Sequence, residues 1–172
     1  MQTNKGYKRM KSIAVALLAL CVVGNATSGI TPENYQNKRT RYVKIQDHAE
    51  DTLRFFANHT KPAHSKIGKR VVKTQGKAHR WSTRKLDQIE RFVYSGEFLP
   101  WKWRDIIRCE THTNWRHNSG NYQGAFGFAV SSWDRFNSFG FPSEAYLATP
   151  EQQYRVALAI YARYGYTGWG CA

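Results

Sequence analysis

One carboxyl group stands out among the residues able to do chemistry. Glu110 lies in the string WKWRDIIRCETHTNWRHNSGNYQGAFGFAVSSW, residues 101–133, with a cysteine before it and a loop rich in Gly, Asn and aromatics after it. Cutting a glycosidic bond needs a carboxylic acid that keeps its proton until it meets the leaving oxygen, and apolar neighbours favour the protonated form. Trp115, Tyr122 and Phe126 are candidates for such neighbours and for the walls of a sugar groove, because flat aromatic faces suit CH-rich rings. Asn114 and Asn121 are candidate hydrogen-bonding partners of a sugar, and Thr111 is a candidate for orienting Glu110. The plainer alternatives are core packing for the aromatics and local backbone turns for the asparagines. Taken alone, one Glu near aromatics is more often a surface residue, so the residues themselves leave catalysis open.

No metal or cofactor chemistry is expected. The six histidines lack ligand spacing, and the cysteines are too far apart to frame a zinc site. Of the three cysteines, Cys21 falls in an N-terminal segment expected to be removed, which leaves Cys109 and Cys171 as a single pair. In an oxidising compartment such a pair reads as a disulfide; two buried thiols are the alternative.

The elements that must hold Glu110 can be sketched from periodicity. Leu86, Ile89, Phe92 and Val93 predict a helix beginning near Ser82 and stopping at Gly96. A second helix follows Pro100, with Trp103, Ile106 and Ile107 on one face, and ends near Glu110. Residues 111–130 form a turn-rich excursion with room for a short hairpin, and residues 131–138 make one or two helical turns. The last helix is the clearest: Thr149 caps it, Pro150 takes the first position, Gln152 reaches back, and Gly165 ends it. Its inward face is read as Val156, Ala157, Ile160, Tyr161 and Tyr164.

The N-terminal half has another character. Residues 1–26 look like a signal peptide, with Lys5, Lys8, Arg9 and Lys11 before an apolar run over residues 13–23 and then Gly24, Asn25 and Ala26. Residues 1–96 hold 19 Lys and Arg against 6 Asp and Glu, whereas residues 97–172 hold 7 against 6. Residues 27–81 are therefore expected to be a basic arm or linker with a short helix near residues 47–59, partly disordered over residues 61–80. Such an arm suits an anionic wall polymer or a membrane surface; a solvated linker is the alternative. The ordered domain is expected over residues 82–172.

The ordered motifs of residues 97–172 resemble the transglycosylase-like domain of the resuscitation-promoting factors, exported muralytic proteins. The resemblance rests on Trp103, Ile106, Cys109-Glu110 and Asn114-Trp115, then Asn118-Ser119-Gly120-Asn121, Tyr122 and Gly124. It continues through Ser131-Ser132-Trp133, Ala148-Thr149-Pro150-Glu151-Gln152-Gln153 and Trp169-Gly170-Cys171. It implies a mainly α, small lysozyme-like domain in which Cys109 and Cys171 form one disulfide that ties the catalytic helix to the C-terminus. It also implies Glu110 as the catalytic acid, peptidoglycan glycan strands as substrate, a secreted or wall-bound location and a monomer. The sequence departs from the family at Gly127, where a Gln is usual, and its turn is a residue shorter between Asn121 and Tyr122.

A two-carboxylate glycosidase needs its second acid roughly 5–5.5 Å away for retention or 6.5–9.5 Å for inversion. The other acids here are Glu97, Asp105, Asp134, Glu144 and Glu151, and none is marked by its setting. A single-acid lytic transglycosylase is therefore the expectation. The rival readings are a lysozyme-type hydrolase, a non-catalytic glycan-binding module, and a basic nucleic-acid binder using residues 61–91.

Overall fold

The structure, a computed structural model, describes residues 29–172. The expected signal peptide and Cys21 lie outside the described residues. The described residues begin with a long helical hairpin. Helix α1 spans Tyr35–Asn58, a short α2 spans Thr60–His64, and α3 spans Lys66–Tyr94. Cross-helix pairs show that α1 and α3 run antiparallel: Tyr42 packs edge-on to Trp81 at 5.2 Å, and Glu50 meets His79 at 3.1 Å.

The seam of this hairpin explains both its stability and why periodicity misses it. On α3 the least exposed positions recur at steps of four and three: Gly68, Val72, Gln75, His79, Ser82, Leu86, Ile89 and Val93. This is the spacing of a two-helix coiled-coil seam. Half of those residues are small or polar, so the row does not read as hydrophobic. Residues 61–80, expected as a partly disordered linker, are instead mostly the start of α3, and the expected boundary at residue 82 falls inside that helix. The short helix expected near residues 47–59 belongs to the 24-residue α1. Gly68 acts as a point of contact rather than a breaker, since a Cβ there would overlap the Pro62 carbonyl oxygen.

Helix α4, Trp101–Thr111, begins the C-terminal part. Strands β1, Tyr122–Gln123, and β2, Phe128–Ala129, pair antiparallel, with Tyr122 opposite Ala129. Helix α5, Val130–Phe136, leads through a 3-10 turn over Ala145–Leu147 to α6, Pro150–Tyr164, and a last 3-10 turn over Gly165–Gly168. The fold is mainly helical with one small sheet. Thr149 and Gln152 form the expected capping box on α6. Val156, Ala157 and Ile160 face inward as expected, but Tyr161 and Tyr164 are exposed. They lie at the rim, where Tyr161 packs on Tyr166 and Tyr164 on Phe136.

Aromatic rings fill the core. Trp103 meets Phe126 at 5.7 Å, Trp169 at 5.1 Å and Tyr154 at 5.6 Å. Tyr35 of α1 joins the same core through Phe92 and Phe98, and Arg39 pairs with Glu151 at 3.0 Å. The hairpin is thus joined to the domain by the start of α1 and by Ile89, Phe92 and Val93 at the end of α3. Among the described residues no helix is long and apolar enough to cross a membrane.

Candidate active site

Glu110 sits in the last turn of α4, half-buried. The chain leaves that turn sharply. His112 and Thr113 both take positive φ, 55° and 63°, and their N–H groups donate back to the carbonyls of Arg108 and Ile107. Left-handed backbone at two successive non-glycine residues stores strain beside the carboxyl. The aromatic core beneath α4 and the disulfide next to it hold that geometry in place.

Two glycine-bearing segments flank the carboxyl. On one side, Cys109 is bonded to Cys171, with the Cα atoms 5.9 Å apart, which brings the C-terminal tail against α4. The main-chain N–H of Cys171 donates to Oε1 of Glu110 at 3.1 Å. On the other side lies the turn between the strands. Gly127, at φ 59°, has no side chain toward Glu110; a Cβ there would stand 3.2 Å from Oε2. One oxygen is therefore held by the tail and the other faces a bare stretch of backbone.

The remaining expected site residues divide. Tyr122 is 55% exposed on β1, and Asn114 and Asn121 are exposed. Asn114 accepts the N–H of Arg116 at its own Oδ1, a local turn contact. Trp115 and Phe126 are not available as groove walls: they are 4% and 0% exposed. Trp115 packs on Phe98 and Phe126 and donates its indole N–H to the Tyr94 carbonyl; the ring of Phe126 lies among Trp103, Phe128 and Trp169. Their burial follows from the loop folding back over α4 rather than away from it. Thr111 does not hold Glu110. Its hydroxyl donates to the Ala125 carbonyl at 2.8 Å and so pins the inter-strand turn onto α4.

Sequence reasoning passed over Gln153, which is fully buried. Its Oε1 accepts the N–H of Ala125, and its Nε2 donates to the carbonyls of Trp115, Ala145 and Ala148. One side chain thus ties together the loop after α4, the turn facing Glu110 and the approach to α6. The signal was a Gln on the inward row of an amphipathic helix, where an apolar residue is normal. Gln123, also buried, accepts the Ala145 N–H.

Two other acids are engaged elsewhere. Asp105 pairs with Arg108 at 3.3 Å, and Glu151 pairs with Arg39. Among the described residues no group of three or more His, Cys, Asp or Glu is placed to hold a metal ion.

A carboxyl thus ends a core helix and faces a small two-stranded turn within a helix-dominated domain. Comparison with known sequences bears on it: residues 100–172 match the family model of the transglycosylase-like domain. Over 68 residues it is 38% identical to resuscitation-promoting factor Rpf1 of Corynebacterium glutamicum, covering 39% of this chain and 35% of that protein. Over 69 residues it is 36% identical to resuscitation-promoting factor RpfA of Mycobacterium tuberculosis, covering 40% of this chain and 17% of that protein. Resuscitation-promoting factor Rpf2 of C. glutamicum is 31% identical over 68 residues, covering 39% of this chain and 18% of its own length. The chain thus spans about a third of the first relative and under a fifth of the others. No solved structure matches it significantly.

Proposed function

We propose that the domain cleaves peptidoglycan glycan strands between N-acetylmuramic acid and N-acetylglucosamine, as a lytic transglycosylase with Glu110 as its sole acid and base. The observation that carries this reading is the asymmetric hold on Glu110. The Cys171 N–H occupies Oε1, which leaves the proton to Oε2, on the side of Gly127. The engagement of Asp105 and Glu151 with other partners supports a route without a second carboxylate.

In this mechanism Glu110 donates its proton to the glycosidic oxygen, and the bond from that oxygen to C1 of the muramyl residue breaks. The oxygen leaves as the 4-hydroxyl of N-acetylglucosamine, while the muramyl acetamido oxygen bonds to C1 and carries the positive charge. Glu110, now ionised, takes the proton of the muramyl 6-hydroxyl. The 6-oxygen attacks C1, the acetamido oxygen departs, and a 1,6-anhydro ring closes with Glu110 again protonated. Tyr122, Asn114 and Asn121 are exposed on the site loop and are assigned to substrate contact. The signal-like N-terminus and the disulfide support action outside the cytoplasm.

Mass spectrometry of digested peptidoglycan tests the reading. Anhydromuramyl ends are expected. Reducing ends would make the protein a hydrolase, and intact strands with wall binding would make it a binding module.

A further inference from the structure

The face of α3 turned away from α1 carries a row of cations. Lys66, Arg70, Lys73, Lys77, Arg80 and Arg84 follow one another at steps of four and three, and all six are exposed. The same steps define the seam, two residues out of phase, so the row runs along the opposite side of the helix. Over residues 66–84 it extends about 27 Å, with a charge every 5 Å or so, at 1.5 Å of rise per residue. Lys69 stands beside it, and Asp87 ends it toward the domain. None of the three ion pairs among the described residues involves the six. The acids of α1 do not reach the row: Glu50 pairs with His79 at the seam, and Asp47 and Asp51 take the outward face of α1.

We infer that this row is a binding surface for a linear phosphodiester polymer of the polyol-phosphate kind. Like charges at successive helical neighbours oppose the helix, and a polyanion laid along the row relieves that opposition. The spacing suits a chain bearing one charge per repeat. A membrane surface fits less well, because the only large apolar side chains exposed beside the row are Ile67 at one end, 75% exposed, and Trp81, 39% exposed and packed edge-on to Tyr42, too few for an apolar face. Single-stranded nucleic acid fits less well too. The row contains no aromatic side chain to stack on a base, and the nearby Trp81 is engaged with Tyr42. The inference does not depend on Glu110. The six cations lie on one continuous helix where a partly disordered arm was expected.

The test uses the full chain and poly(glycerol phosphate) as probe, titrated by calorimetry at several salt concentrations. A variant with all six cations changed to Gln is compared with one carrying R41Q, K44Q and R54Q on α1. Circular dichroism checks that helix content is kept. The six-fold variant is expected to bind at least about 100-fold more weakly at moderate salt, with its log–log salt slope reduced by about four, near 0.7 per lost contact. The α1 variant is expected to lose less than about tenfold. Losses that simply follow net charge in both variants would overturn the surface. Tighter binding to oligothymidylate or to phosphatidylglycerol vesicles would overturn the polymer class, and so would absence of binding by the unaltered chain.

Discussion

The main-chain N–H of Cys171 donates to the carboxyl of Glu110 across 61 residues of sequence, and the cysteine next to Glu110 is the one bonded to Cys171. The disulfide and the hydrogen bond therefore connect the same two pieces of chain. The covalent link makes the amide a fixed partner of the carboxyl, because the tail cannot drift from α4. Disulfide closure of a loop this long also contributes about 4 kcal/mol to stability in the chain-entropy picture.

Glu110→Gln should abolish activity. The amide oxygen still accepts the Cys171 N–H, but the side chain no longer exchanges a proton, so turnover of purified peptidoglycan should fall by about 10³-fold or more. Stability should move by less than about 1 kcal/mol. Near-normal release of soluble fragments would remove Glu110 from the mechanism.

Reducing the disulfide, or replacing both cysteines by Ser, should lower the melting temperature and weaken the hold on Glu110. Loss of one oriented hydrogen bond predicts a fall in kcat of about tenfold with a smaller change in KM. An unchanged kcat in fully reduced, folded protein would show that the Cys171 amide does not position the acid.

Gly127→Ala should cost about 1 kcal/mol, because the residue sits at positive φ. It should also reduce kcat, since the new methyl group would stand 3.2 Å from Oε2 of Glu110. Gly140→Ala is the matched control: Gly140 also has positive φ but nothing lies near its missing Cβ. It should lose comparable stability and no activity.

Gln153→Leu should destabilise the domain by about 2–4 kcal/mol. It leaves the Ala125 N–H and up to three carbonyls without their partner in a buried site. Urea denaturation measures it; a loss within experimental scatter would mean that the loop and turn hold without this side chain.

Burial raises the Tyr35 and Tyr154 hydroxyls above their ordinary 10.0, assisted at Tyr154 by Tyr166. A group whose pKa is higher folded than unfolded stabilises the fold below the unfolded value. That contribution is lost as pH rises through the folded value. The urea midpoint should therefore fall above about pH 10, and Tyr35→Phe with Tyr154→Phe should flatten the decline.

The C-terminal elements were legible because their signals are local. The box at Thr149 and Gln152 and the apolar face at Trp103, Ile106 and Ile107 follow from neighbours within a turn or two, and all recur in the structure. The hairpin was not legible over residues 61–80. Its seam uses Gly68, Gln75 and Ser82, which are small or polar yet buried, so hydrophobic periodicity does not mark them.

The site divides along the same line. The sequence by itself determined the chemical parts: one carboxyl ending an apolar-faced helix, two cysteines to close a loop, and a glycine-rich turn between them. Only the tertiary structure decided which atoms meet. It buried Trp115 and Phe126 because the loop folds back over α4, and it turned Thr111 toward Ala125 instead of Glu110. It also brought the Cys171 amide and the bare face of Gly127 to opposite sides of one carboxyl. The physical reason is that a side chain's type is a local property, whereas its partner is set by where distant backbone is packed.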